Sequence, residues 1–303
     1  MPATFRELLA KVCRNCKPSS LKTYTSNIRA LAKLAGLAEV PTHKRWLSAK
    51  LLGKVRAMPL QRYKRFSMAG VKALQAYGAK DPKWDAAMRD STEKYSALRD
   101  SGRRTLREKT NWPEGGYQAL TKLARELHEE VDHLESKTKT LSAAELYHYQ
   151  RYFILLFYSK HALRGDLADV RIQKPFGPNY LKGAAGPMHI GEHKTVRARG
   201  PITLKLAEPV RQALRHFLPM VRARTTHGYL LSTLRTGNRL RRADMLKIIR
   251  NTTKERIGKR LGVQLIRVLK TTESQAAIDR AHELQQELGH SGAMQRKYLS
   301  RAH

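Results

Sequence analysis

The stretch AELYHYQRYFILLFYSKHAL, residues 144–163, is apolar on nearly every side at helical spacing. Ser142 and Glu145 precede it in the S-x-x-E spacing of a capping box, which predicts where the helix begins. A helix that is apolar all round must be covered on all sides, and its apolar part falls short of the roughly 20 residues that a membrane span needs. We therefore predict a buried central helix with the rest of a domain built around it.

The chain before residue 100 indicates a separate helical domain. Apolar residues recur at helical spacing after Ser19 and Ser20, and again in LQRYKRFSMAGVKALQAYG, residues 60–78. Asp81-Pro82 has the form of an N-cap followed by a first-turn proline. Residues 101–112 are polar and basic without an apolar period, which is typical of a linker. We predict a helical domain at 1–100, a linker at 101–112 and a second domain at 113–303.

The residue pattern of the second domain changes from helical to strand-like after the central helix. DVRIQ, MHIGEHKT and PITLKL are short segments with alternating or β-branched residues, and the turn-rich texts PFGPN and VRARG lie between them. Helical patterns resume at EPVRQALRHFLPMV. The predicted fold is mainly α with a small antiparallel β-sheet inside the second domain.

Charge points to the class of partner. The chain has 59 Lys and Arg against 25 Asp and Glu, a formal net charge of +34. Such an excess indicates a polyanion, and nucleic acid is the first candidate because basic side chains release counterions from phosphates. An anionic membrane surface is the second candidate. Residues 241–270 hold ten basic residues against Asp244 and Glu255, which favours phosphate contact over a salt-bridged helix face. Without a signal-peptide pattern, an intracellular protein with no membrane partner is expected.

Metal and nucleotide chemistry have little support. Cys13 and Cys16 form a C-x-x-C pair without a second pair, so two thiols near a helix end are expected rather than a zinc site. HIGEH matches the H-x-x-E-H zinc pattern, but glycine and strand-like flanks put it outside the helix that this pattern requires. Clustered carboxylates and a P-loop motif are both missing from the sequence. No metal and no cofactor are expected, which leaves phosphodiester cleavage by a side-chain nucleophile, arginine pairs and a general acid.

Five sequence segments, in this order, resemble the tyrosine recombinase, or phage integrase, family over nearly the whole chain. SSLKTYTSNIRAL resembles the start of its helical core-binding domain, HALRGDLADVRI its first arginine segment, HIGEHKTVRARGPITLKL its lysine hairpin, QLIRVL its H-x-x-R box, and LGHS its best-known local signature. The resemblance implies the catalytic residues Arg164, Lys194, Gln264, Arg267, His290 and Tyr298. It also implies a two-domain DNA clamp, double-stranded DNA as partner, and a homotetramer on two DNA sites, with room for accessory DNA-bending proteins. The hairpin and the ending look closer to recombinases of viruses and mobile elements than to bacterial chromosome-dimer resolvers.

The resemblance also implies the mechanism. Tyr298 attacks a backbone phosphate, the two arginines stabilise charge on its oxygens, and Lys194 protonates the departing 5′-oxygen. His290 and Gln264 add hydrogen bonds to the phosphate.

Three departures from the family pattern stand out. Gln264 stands where the family usually has His or Lys and cannot titrate, so base assistance to the nucleophile is in doubt. His290 and Tyr298 are 8 residues apart, one fewer than is common. The sequence ends five residues after Tyr298, so the docking helix of many relatives is expected to be absent or replaced by another segment.

Alternatives stay open at the level of residues and of function. Arg164 could pair with Asp166 or Asp169 at a surface, and Arg197, Arg199 and Lys205 compete with Lys194 for the acid role. His290 could cap a helix, and Tyr298 could be plain packing. A telomere resolvase or a type IB topoisomerase would use the same site. A catalytically decayed DNA-binding protein would bind DNA with steep salt dependence and form no covalent adduct.

Overall fold

The structure is a computed structural model that describes residues 5–13, 16, 18–136, 141–233 and 236–287. The chain divides into two compact units, Met1–Thr105 and Leu106–His303. The described part is mainly helical with one small antiparallel sheet, which confirms the predicted secondary-structure class. The assignment of the two units to DNA binding and catalysis stays a prediction. None of the described helices is long and apolar enough to cross a membrane.

The first unit is entirely helical in its described residues. Its helices are α1 (Phe5–Val12), α2 (Pro18–Leu34), α3 (Ala49–Arg56), α4 (Leu60–Ala76) and α5 (Pro82–Asp100), with a 3-10 turn at Lys44–Trp46. The predicted cap at the start of α5 is confirmed, since Asp81 accepts from the backbone N–H of Lys83 and Pro82 follows it. Helix α4 lies against α5, α2 and α1, and its buried residues line the core of this unit.

The N-terminal cysteines differ from the expectation of two free thiols. Cys13 directly follows α1, and the backbone N–H of Cys16 donates to the carbonyl of Cys13 at 2.8 Å. This turn brings the two Cα atoms to 5.2 Å, within the range that a disulfide spans, and the two residues are disulfide-bonded. The thiol prediction is therefore wrong for this structure.

The second unit surrounds the predicted central helix. It contains α6 (Leu106–Asn111), α7 (Gln118–Glu129), α8 (Ala143–Lys160), α9 (Val196–Arg199), α10 (Glu208–Arg224), α11 (Arg242–Ile257), α12 (Val263–Glu273) and α13 (Gln275–Glu287), with 3-10 turns at Asp132–Leu134 and Gly165–Asp169. The capping box of Ser142 and Glu145 starts α8 as predicted. Phe153 and Phe157 are fully buried on α8, and Phe153 stacks on Phe217 of α10 with ring centroids 4.8 Å apart. The prediction of a central buried helix is confirmed.

The sheet has three strands in the order β1-β2-β3, all antiparallel. They are β1 (Asn179–Leu181), β2 (Met188–Ile190) and β3 (Ile202–Leu204). Tyr180 pairs with His189, and His189 pairs with Thr203, so β2 is the middle strand.

Two details of the predicted sheet are wrong. DVRIQ, residues 169–173, is not a strand. Its first residue, Asp169, ends the 3-10 turn that Arg242 fastens. The residues after Asp169 make only isolated bridges, through Arg171. The segment VRARG is not an irregular turn, because Val196–Arg199 complete one helical turn before Gly200, whose φ of 70° favours glycine.

The predicted linker also contains regular structure. Residues 106–111 form α6, and this helix is fastened to the second unit by hydrogen bonds from the segment before α12. Composition alone cannot show this, because a six-residue helix is too short to carry an apolar period and depends on tertiary contacts.

Candidate active site

Arg164 lies between the central helix and the 3-10 turn Gly165–Asp169, which it directly precedes. The Tyr158 hydroxyl, near the end of α8, donates to the carbonyl of Arg164 at 2.7 Å. Burial raises the pKa of Tyr158 far above its usual value, so this hydroxyl stays a donor. The most buried helix of the unit thereby fixes the backbone that carries Arg164.

The Arg164 side chain reaches the connection between β2 and β3. Its Nη1 donates to Thr195 Oγ1 at 3.0 Å. The Thr195 hydroxyl lies 3.3 Å from His193 Nδ1, and His193 Nε2 lies 2.9 Å from the carbonyl oxygen of Gly200. Because that carbonyl can only accept, His193 carries its proton on Nε2 and its Nδ1 accepts from Thr195. A chain of partly buried polar contacts therefore holds the guanidinium of Arg164.

Two carboxylates next to Arg164 are neutralised by other residues. Arg242, the first residue of α11, pairs with Asp166 at 2.8 Å and with Asp169, which also pairs with Arg239. Asp166 is 3% exposed, and its burial raises its pKa while Arg242 opposes that rise. Because these carboxylates pair with Arg242 on α11 and with Arg239 just before it, the charge of Arg164 is available for an anion.

Replacing Arg242 with alanine is expected to lower the free energy of unfolding by about 2–3 kcal/mol at pH 7. A buried carboxylate that loses its partner typically costs 3–5 kcal/mol, and the half-exposed position of Arg242 reduces this. A carboxyl whose pKa is raised on folding destabilises the fold as pH rises through that pKa, and the variant raises the pKa of Asp166 further. We therefore expect the free energy of unfolding that Arg242→Ala loses to become smaller toward pH 4, and urea unfolding at several pH values will measure this.

The control for this prediction is Arg215→Ala. Arg215 pairs with Glu208 at 3.9 Å on the exposed face of α10, where an ion pair contributes little. An Arg242→Ala loss that equals the Arg215→Ala loss, or that stays constant between pH 7 and pH 4, would contradict the assigned role of the pair.

Arg267 and Gln264 lie on α12, one turn apart. Arg267 Nη1 donates to Gln264 Oε1 at 3.4 Å, and Gln264 is exposed. Partial burial lowers the pKa of Arg267, and the positive charges of Arg164 and Arg199 lower it further. The charges of Arg164, in the turn after α8, and of Arg199 on α9 thus both act on Arg267, while the carboxylate of Asp166 acts in the opposite sense. An anion stabilises such a group of positive charges.

The remaining predicted residues are placed less completely. Lys194 lies in the turn between β2 and α9, next to Thr195, with its side chain exposed. Within the described ranges it makes no hydrogen bond or ion pair, so no contact joins it to the arginines. His290 and Tyr298 lie outside the described residues.

Sequence reasoning missed the residues that position Arg164. Thr195 directly follows the candidate lysine, and this adjacency was the available signal. Arg242 was one of ten basic residues in its run, with nothing in the sequence to separate it from the rest. Arg199 was considered only as a rival of Lys194.

The histidines of HIGEH have other contacts than a metal. His189 lies on the middle strand with its ring 4.9 Å from that of Tyr180, and His193 is buried against Thr195 and Gly200. Across the described ranges, no group of three His, Cys, Asp or Glu side chains is arranged to hold a metal ion. A cavity of about 960 Å³ along α7, α8 and α10 is lined by none of the four described candidate residues.

Comparison with known proteins adds little to this geometry. No protein-family model and no curated protein matches the sequence. Among solved structures, the chain is similar to one titled "Crystal structure of XerA recombinase", with a TM-score of 0.37 and 14% identity. That match covers 98% of this chain and 94% of the other. A likeness of this degree does not establish a family.

Proposed function

We propose that this protein is a site-specific DNA recombinase that cleaves and rejoins DNA strands through a 3′-phosphotyrosyl intermediate. The observation that carries the proposal is that the positive charge of Arg164 lowers the pKa of Arg267, although the two arginines are distant in sequence and lie on different elements. Asp166 and Asp169, the carboxylates next to Arg164, pair with arginines outside this pair.

The proposed chemistry follows from what each group can do. The hydroxyl oxygen of Tyr298 attacks the scissile phosphorus, and the bond from phosphorus to the 5′-oxygen breaks. Arg164 and Arg267 donate to the non-bridging oxygens, where negative charge develops in the transition state. Lys194 gives a proton to the departing 5′-oxygen, while His290 and Gln264 add hydrogen bonds to the phosphate. A 5′-hydroxyl of the partner strand then attacks the phosphotyrosine and restores a phosphodiester.

The proposed assembly is a homotetramer on two double-stranded DNA sites, with the first unit contributing to DNA binding. Because the phosphotyrosyl bond conserves the energy of the phosphodiester, rejoining requires no nucleotide hydrolysis.

Covalent trapping tests the proposal. The protein is incubated in EDTA with nicked DNA fragments tiled across the ends of its own source element, and SDS-resistant protein–DNA bands are measured. We expect a band for the wild type, and none for Tyr298→Phe, because phenylalanine lacks the attacking oxygen. Tyr147→Phe, the same substitution on the surface of α8, should form the band normally.

The other outcomes distinguish the rivals. A band from Tyr298→Phe would show that another tyrosine is the nucleophile. Tight DNA binding without a band on any fragment would favour a decayed DNA-binding protein, for which the replacement of a titratable residue by Gln264 is the supporting observation. Products with hairpin ends or relaxed circles would indicate a telomere resolvase or a type IB topoisomerase.

A further inference from the structure

Helix α6 forms one wall of a second positively charged site. Lys259 Nζ donates to the carbonyl of Thr110 at 3.2 Å, and the backbone N–H of Arg260 donates to Asn111 Oδ1 at 3.1 Å. Asn111 Nδ2 in turn donates to the carbonyl of Arg107 at 3.0 Å, which holds the amide in place. These contacts fasten α6 to the segment between α11 and α12.

A cleft of about 490 Å³ opens between these elements. The residues that line this basic cleft are Arg107, Asn111, Lys247, Arg250, Asn251 and Arg260. Four are cations, two are amides and none is an acid. A water molecule occupies about 30 Å³ of liquid, so the cleft has room for a phosphate group.

The cations of the cleft have no acidic partner among the described residues. Within the described part of the chain, the side chains of Arg107, Lys247 and Arg260 make no hydrogen bond or ion pair. By contrast, Arg256 on the same helix α11 pairs with Glu130 at 2.7 Å. The fourth cation, Arg250, donates its Nε to the carbonyl of Leu246 at 3.1 Å and also has no acidic partner. Four such positive charges around one cleft are unfavourable without an anion, so the arrangement indicates a polyanionic ligand.

We propose that the basic cleft binds phosphates of the DNA backbone at a place other than the phosphate that is cleaved. The identity of the polyanion rests on the proposed function, while the cleft itself does not. Cations supply the charge, and the exposed Asn251 supplies an amide N–H donor of the kind that contacts phosphate without reading sequence. The segment predicted as a passive linker thus contributes Arg107 to DNA binding.

The test measures how DNA affinity depends on salt. Full-length wild type, Arg107→Gln, Arg260→Gln and Lys247→Gln are titrated with a short labelled duplex at several NaCl concentrations. Each lost phosphate contact should reduce the slope of log K against log [NaCl] by about 0.9. Lys122→Gln removes an exposed cation that already pairs with Glu126 on α7, and its slope should match the wild type.

The variants should fold normally, since these three side chains support no described contact, and a circular dichroism melt checks this. Unchanged slopes for all three cleft variants would overturn the proposal. A second arm measures binding of inorganic pyrophosphate at low salt. Pyrophosphate binding that the substitutions abolish, combined with unchanged DNA slopes, would assign the cleft to a small free polyphosphate and also overturn it. Because no strand cleavage is needed, reduced slopes without any covalent adduct would remove the recombinase proposal alone.

Discussion

Replacing Arg267 with alanine is expected to slow formation of the covalent DNA adduct by about 100- to 1,000-fold, the usual effect of removing one donor to a developing oxyanion. The guanidinium of Arg267 is partly buried, and the positive charges of Arg164 and Arg199 lower its pKa while the carboxylate of Asp166 opposes them. Asp166 pairs with Arg242, so Arg267 remains available to the phosphate. Single-turnover rates on the fragment that gives the trapped band will measure the loss. DNA affinity should fall much less, because many other cations contribute to binding.

Two variants control for charge and for geometry. Lys270→Ala removes a positive charge from the same helix α12, where Lys270 pairs with Glu273, and its rate should stay close to the wild type. Arg267→Lys keeps the charge but loses the planar fork that donates to two oxygens at once, so its rate should lie between those of wild type and alanine variant. Adduct formation by Arg267→Ala at the wild-type rate would exclude Arg267 from the site.

Gly70→Ala is expected to destabilise the first unit by about 2 kcal/mol or more, although alanine is the better helix former by about 1 kcal/mol. A Cβ at this position of α4 would come within 2.9 Å of Trp84 Cδ2 and closer still to two other ring carbons. Trp84 cannot easily move, because it is 1% exposed and its Nε1 donates to the carbonyl of Leu47 at 3.2 Å. Urea unfolding followed by circular dichroism will measure the change.

Gly53→Ala is the matched comparison for this prediction. Gly53 lies inside α3, and nothing stands within 4 Å of the position that its Cβ would take. The same substitution should therefore stabilise the unit by about 0.5–1 kcal/mol through helix propensity alone. If Gly70→Ala and Gly53→Ala shift the unfolding midpoint in the same direction, the close packing of α4 on α5 assigned here is wrong.

The amino-acid sequence by itself determined the helices that carry local signals. Three signals that act over a few residues were found where predicted. They are the capping box at Ser142, the cap at Asp81 and the apolar residue pattern of α8. The order of the candidate motifs was also visible in the sequence. It placed Arg164 after the central helix and Arg267 on a later helix, which is where they lie.

The tertiary structure decided everything that depends on distant partners. Arg242 pairs with Asp166 across 76 residues, and Arg164 donates to Thr195 across 31 residues. Helix α6 became part of the basic cleft only through contacts near residue 260, which are 149 residues away along the chain. The physical reason is range. Caps and periodicity are set by neighbours within one or two turns, whereas an ion pair or a shared anion site exists only after the chain has folded.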